Sequence, residues 1–267
     1  MLDIKTRSPF LFTAILLAII GMVSLIPLKG ILLSLSLSSF QAEYINLSIK
    51  MSMLALIGYM LIKKWNLNVI GGLSAIYKWE FKSLNLIPIY LMLLGIVSII
   101  SADLTKIELP NIVLLLLSML AVGFAEEFLF RGVLQALFIK KYISLKSGLF
   151  LGTFIPAFAF GLFHLFNLFS DGPITPVIIQ VVFATFIGFF FGAILLKTNK
   201  MIPLVITHAL INFFFSIQFL PNFNSKVTQE PASLSSILIC LPLFIIALFI
   251  LKKTDKTKVQ EKLNKSF

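Results

Sequence analysis

Near the middle of the chain, AEEFLFRG at 125–132 places two adjacent carboxylates and a guanidinium inside a long apolar run, IVLLLLSMLAVGFAEEFLFRGVLQALFI. The chain's two histidines also sit in apolar runs, His164 in AFGLFHLF and His208 in LVITHALIN. A carboxylate and an imidazole together can hold a water and take its proton. An imidazole and an amide can donate hydrogen bonds to a developing oxyanion. These are parts for hydrolysis without a serine or cysteine nucleophile. No GxSxG is present, and the single cysteine, Cys240, lies in the last apolar run, where it reads as a small buried apolar residue. There is no HExxH either. Glu126, His164 and His208 would suffice as three ligands for a divalent metal such as zinc. The residue types leave open whether a carboxylate or a metal activates the water.

Spacing divides the group. Glu127 and Arg131 are four apart, share a helix face and can neutralise each other. Glu126 is turned by about 100° and has no local partner, so it should either hold its proton more firmly or find hydrogen-bond donors on another helix. Phe160 precedes His164 by one turn, and Asn212 follows His208 by one turn on the same face. Each histidine alone reads as a satisfied core residue. Two of them beside two acids and an asparagine read as a site, because ionisable groups at membrane depth mark function by default. Lys50, the other charge within a span, is expected to snorkel outward.

The elements that must hold these residues are membrane helices. Of 267 residues, 59% are hydrophobic and 12% charged, and the mean hydropathy is +1.03. A soluble domain does not read this way. The expected fold is all-α: one polytopic helical bundle over 1–267, with a catalytic core at about 110–220. Eight spans are predicted, near 9–28, 44–62, 84–102, 110–136, 147–168, 174–196, 201–220 and 233–251. The first is taken as a transmembrane helix rather than a removed signal peptide. ILLSLSLSSF at 31–40 is too short to span and is placed at the interface.

The net charge of +11 raises nucleic acid as a partner, but the basic residues instead set an orientation. With the N-terminus inside, Lys5, Arg7, Lys63, Lys64, Lys78, Lys82, Lys140, Lys141, Lys146, Lys197, Lys200 and the six lysines after residue 251 are cytoplasmic. Only Lys29, Lys106 and Lys226 fall outside. That bias predicts a multi-pass protein of the cell membrane with both termini cytoplasmic. The lysine tail is then a cytoplasmic tail beside an anionic leaflet, and no nucleic acid is needed. Trp65 and Trp79 are the interfacial aromatics of an inside loop, and the acids Asp103 and Glu108 are solvated in an outside one. Gly188 and Gly192 offer a small-xxx-small spacing for close packing.

Depth is consistent with a cluster. Glu126 and His164 are symmetric about residue 145, in the loop KKYISLK, so a helical hairpin brings them level. His208 lies about 12 Å past Lys200, whereas Glu126 lies about 21 Å before Lys140. The helix bearing Glu126 should therefore tilt, bend or run past the membrane surface. Pro156 is available to bend the next helix.

EEFLFR at 126–131, FGLFH at 160–164 and HALIN at 208–212 resemble the CAAX protease and bacteriocin-processing family of intramembrane proteases, whose marks are EExxxR, FxxxH and HxxxN or HxxxD in this order. The resemblance covers about 110–220. It implies a conical bundle with a cavity open to the cytosol and peptide cleavage near the membrane surface. Glu126 with His164 would activate water, and His208 with Asn212 would form the oxyanion hole. Glu127, Arg131 and Phe160 would support the site. The expected substrate is a membrane-associated peptide, such as a bacteriocin leader, in preference to a prenylated CAAX protein. The alternatives are a non-catalytic immunity or scaffold protein, a proton-relay transporter, and a metal-dependent protease using the same residues. Lipid is the other expected partner; the oligomeric state is open.

Overall fold

The computed structural model describes residues 8–100, 107–170, 173–217, 220 and 232–266. Every described secondary-structure element is helical. In lipid the backbone must satisfy its own hydrogen bonds, and continuous apolar runs do so as helices. Helix α1 is Pro9–Ser24, α2 is Leu28–Ser34 and α3 is Ser39–Lys64. A short 3₁₀ turn, Lys82–Leu86, precedes α4, Ile89–Ile99. Helix α5 runs over Leu109–Tyr142 and α6 over Gly148–Phe163. Then come α7, Ile174–Thr198, α8, Met201–Ile217, and α9, Leu234–Lys252. Helix α10, Lys256–Asn264, follows.

The eight predicted spans become six helical stretches long and apolar enough to cross a membrane and two shorter ones, Lys82–Val97 and Met201–Ile217. The result is a multi-pass helical membrane protein. Boundaries moved for local reasons. Helix α3 starts at Ser39 rather than 44 because Ser38 and Gln41 form a reciprocal capping box. The predicted 31–40 interfacial stretch is divided between the end of α2, a turn with Ser36 at φ 63°, and the start of α3. Pro156 is buried within α6, which stays helical through it.

Helices α3 and α5 lie side by side and parallel, in a constant register. Gln41 bonds to Asn111 and Ser48 to Ser118, each pair 70 residues apart. A Cβ on Gly58 would meet Phe128, and one on Gly132 would meet Ile62. Helix α8 packs against α5 in the opposite sense. A Cβ on Gly123 would lie 2.9 Å from the Val205 carbonyl, and Gly132 sits beside Met201. Helix α5 therefore continues ten residues beyond the level at which α8 begins. Helices α6 and α7 are antiparallel, with Gly152 of α6 packed on Ile139 of α5.

Of the charges used to predict orientation, Lys5, Arg7, Lys106 and Lys226 lie outside the described residues, as does Asp103. Glu108 precedes α5 and accepts from Asn111 at 3.4 Å. The remaining segments predicted to be inside meet at one end of the bundle. Lys197 Nζ donates to the Lys253 carbonyl at 2.7 Å, and Lys256 Nζ donates to the Leu145 carbonyl at 2.9 Å. Trp65 packs edge-on against Phe12, while Trp79 is exposed beneath Lys82.

The lysine tail carries a further helix: Asp255 caps α10, whose Val259, Leu263 and Lys262 are buried. Burial pushes the Lys262 ammonium below the usual lysine range. Lys50 reaches outward to the end of a neighbouring helix. Its ammonium donates to the Ser24 carbonyl at 2.8 Å, at the end of α1, where an unpaired backbone acceptor awaits a donor.

Candidate functional site

The site lies where α5, α6, α7 and α8 converge. Helix α5 is regular to Glu126 and then widens into a π-helical stretch, Glu127–Leu134. Such i→i+5 turns are rare and are found often at functional sites. In a π turn successive side chains diverge by less than the ~100° of an α-helix. That keeps Glu127 close to the side from which Glu126 approaches.

Both carboxylates address one ring. His208 Nδ1 stands 2.7 Å from Glu127 Oε1, and its Nε2 stands 3.4 Å from Glu126 Oε2. Glu126, which lacked a partner on its own helix, thus finds it on α8. Glu127 Oε1 also faces Arg131 Nη1 at 3.2 Å, so the (i, i+4) pair expected from spacing is present and His208 joins it. Helix α8 approaches closely enough because Gly123 stands opposite Val205 and Ala209.

The Arg131 guanidinium is wrapped by rings. It lies 4.3 Å from the Phe160 ring centroid and 5.9 Å from that of Phe191. A cation in an apolar bundle gains from such faces what water no longer supplies. Gly188 makes the space, since a Cβ there would sit 2.9 Å from Arg131 Nη2 and 3.0 Å from Phe160 Cδ1. The Gly188 and Gly192 spacing therefore accommodates side chains from neighbouring helices: Gly192 fits against Gln135 and Thr153, and its carbonyl accepts from Gln135 Nε2 at 3.0 Å.

His164 begins the 3₁₀ turn at the end of α6. Contacts between Phe130 and Phe160, and between Ile139 and Gly152, put Glu126 and His164 at the same level. Its Nδ1 stands 3.1 Å from the Phe160 carbonyl. A carbonyl can only accept, so in a neutral ring Nδ1 carries the proton and Nε2 is left as an acceptor. Among the described residues, no hydrogen bond or ion pair joins His164 to Glu126. Asn212 lies four residues after His208, half-buried, with no side-chain hydrogen bond among the described residues.

Exposure separates the members. The Glu127 side chain is 0% exposed and that of Arg131 2%, whereas Glu126 keeps 10% and His164 is half-buried. A group that must reach a water needs access; a brace does not. Among the described residues, no group of three or more His, Cys, Asp or Glu side chains is arranged to hold a metal ion.

Sequence reasoning missed Phe191, which packs 5.4 Å from His208, and the roles of Gly123 and Gly188 as spacers. Phe191 carried no signal in a chain with 28 phenylalanines. Gly188 carried a weak one, its four-residue spacing to Gly192.

Residues 108–214 match the sequence model of the Rce1-like family, described as type II CAAX prenyl endopeptidase Rce1-like. The matched stretch contains α5, α6, α7 and most of α8, and with them the three motifs. No curated protein and no solved structure matches the chain. The match covers 107 of the chain's 267 residues, and over that stretch the chain is similar to a family of CAAX-type endopeptidases.

Proposed function

We propose that this Rce1-like chain cleaves a membrane-associated peptide or a CAAX-like protein by carboxylate-activated water, at the cytoplasmic side of the cell membrane, with both termini cytoplasmic. The observation that carries the reading is the pairing of two buried glutamates on the same imidazole, Glu126 keeping slight access and Glu127 fully sealed. Glu126 takes a proton from the attacking water. His164 accepts a hydrogen bond from the water's other O–H at Nε2, because its Nδ1 is committed to the Phe160 carbonyl. Hydroxide adds to the scissile carbonyl. The resulting oxyanion is met by His208 Nε2–H and the Asn212 amide. Glu126 then returns its proton to the departing amine.

Glu127 is a positioning residue in this scheme. Accepting from His208 Nδ1 at 2.7 Å, it fixes the ring's rotation and presents Nε2 to the reaction side. Arg131 balances the charge of Glu127.

The test uses purified protein in lipid with two peptides of the same sequence, one prenylated on its CAAX cysteine and one not. Cleavage of either by wild type, lost in Glu126→Gln, supports the reading. Cleavage that persists in Glu126→Gln would sink the assignment of the base. In the native cell, membrane and secreted peptides from wild type and Glu126→Ala at matched levels would name the substrate. Identical peptide profiles with a rescued deletion phenotype in the mutant would favour a non-catalytic immunity or scaffold role.

A further inference from the structure

Three parts of the chain meet at the end of the bundle where α5 overruns α8. The first is the turn 66–73 after α3. It is compact and largely buried, with Leu67, Ile70, Gly71 and Gly72 all inaccessible. Gly71 approaches the backbone of Gly132, where a Cβ would lie 3.4 Å from the Gly132 carbonyl. Gly132 belongs to the π stretch that starts at Glu127. The Gly72 carbonyl accepts from the Met201 N–H at 3.1 Å, which satisfies one of the unpaired donors at the start of α8. Gly72 has φ +70°, and a Cβ there would lie 3.0 Å from the Asn199 carbonyl carbon and from Met201 N. This turn therefore touches both helices of the site, two turns before His208 and five residues after Glu127.

The second part is α10 with the turn that follows it, where Ser266 is 2% exposed. Ser266 Oγ accepts from the Ile70 N–H at 3.1 Å and donates to the Lys262 carbonyl at 3.0 Å. The Ile70 N–H is buried, so without Ser266 it would lose its partner. The third part comprises lateral fastenings that hold α10 down. Lys256 donates to the Leu145 carbonyl just past α5, Lys265 Nζ reaches the Tyr77 hydroxyl at 3.4 Å, and Lys262 lies over the Tyr77 ring.

We propose that α10 and the turn 66–73 form a brace that positions His208. Ser266 holds Ile70, Gly72 holds the first turn of α8, and the register of α8 on α5 sets His208 between Glu126 and Glu127. Ser266 and Gly72 are positioning residues, acting through α8 and touching no substrate. The catalytic consequence rests on the proteolytic reading; the positional one does not.

The chain has two histidines, so a full-length sample with labelled imidazoles gives two side-chain NMR signals, separable with His164→Asn. Ser266→Ala removes one oxygen and is not expected to unfold the protein. It should shift or broaden the His208 signal, leave His164 unchanged, and be reversed by Ser266→Thr. Gly72→Ala should move the same signal further. With a cleavable peptide, kcat for Ser266→Ala should fall by about tenfold at unchanged KM, the signature of misplacement rather than lost binding. Deletion of residues 255–267 should reproduce the shift; if that variant does not fold, Ser266→Ala still decides. An unmoved His208 signal in folded Ser266→Ala overturns the brace. So does a fall in kcat with His208 unmoved. Because the NMR readout needs no substrate, absence of proteolysis in wild type would refute the functional reading and leave this test standing.

Discussion

Helix α5 has two neighbours that it treats differently. Against α3 it packs dry. Leu54, Gly58 and Ile62 meet Phe128, Leu129 and Gly132, and the polar contacts are serine and amide pairs such as Ser48 with Ser118 at 2.7 Å. Against α8 it packs through charge, with Glu126, Glu127 and Arg131 around His208. Lipid supplies little hydrophobic drive between helices, so the dry seam works by fit and small residues. The charged seam pays desolvation and persists because each charge has a partner. The first seam is replaceable by other good packing; the second is tied to its residues.

Four substitutions press on that difference. The largest effect on activity should come from Glu126→Gln, a loss of about a thousandfold or more in peptide cleavage with thermal unfolding unchanged. Glu127→Gln should lower activity less and stability more. It strips the countercharge from buried Arg131 and weakens the hold on His208, so a cost of about 3–5 kcal/mol is expected in denaturation of the solubilised protein. Gly188→Ala drives a methyl into the guanidinium and Phe160, and overpacking of this kind costs about 1–3 kcal/mol. Its cleavage rate should fall, since Arg131 can retreat only toward Glu127. Ser48→Ala, in the dry seam, should cost about 1 kcal/mol or less and leave turnover at the wild-type rate. If Ser48→Ala impaired cleavage as much as Gly188→Ala, the two seams would not be distinct.

Much of this was legible in the sequence because polarity is conspicuous in an apolar chain. Glu126, Glu127, Arg131, His164, His208 and Asn212 stood out by type, and the Glu127–Arg131 pair followed from four-residue spacing within one helix. The hairpin symmetry about residue 145 gave the level of His164. What spacing within a helix cannot give is contact between helices. That Glu126 and Glu127 would share His208 depends on how closely α8 approaches, and this is set by Gly123 and by the π stretch, neither of which has a periodic signature. The start of α3 was missed although its signal, Ser38 and Gln41 in a capping box, was present. Helix α10 was hidden by composition, because its lysines outweigh the two apolar residues, Val259 and Leu263, that dock it.

The 70-residue register of α3 on α5 has a consequence for topology. Two neighbours that run in the same direction cannot be joined by a hairpin, so the chain between Lys64 and Leu109 must travel back along the whole bundle before α5 can start. That return is made through α4, which is shorter than a full apolar crossing. The parity of the pass is thus fixed by packing rather than by hydropathy. A reporter inserted just before Ser39 and another just before Leu109 must answer from the same face of the membrane, whatever length a hydropathy plot assigns to the segment between them.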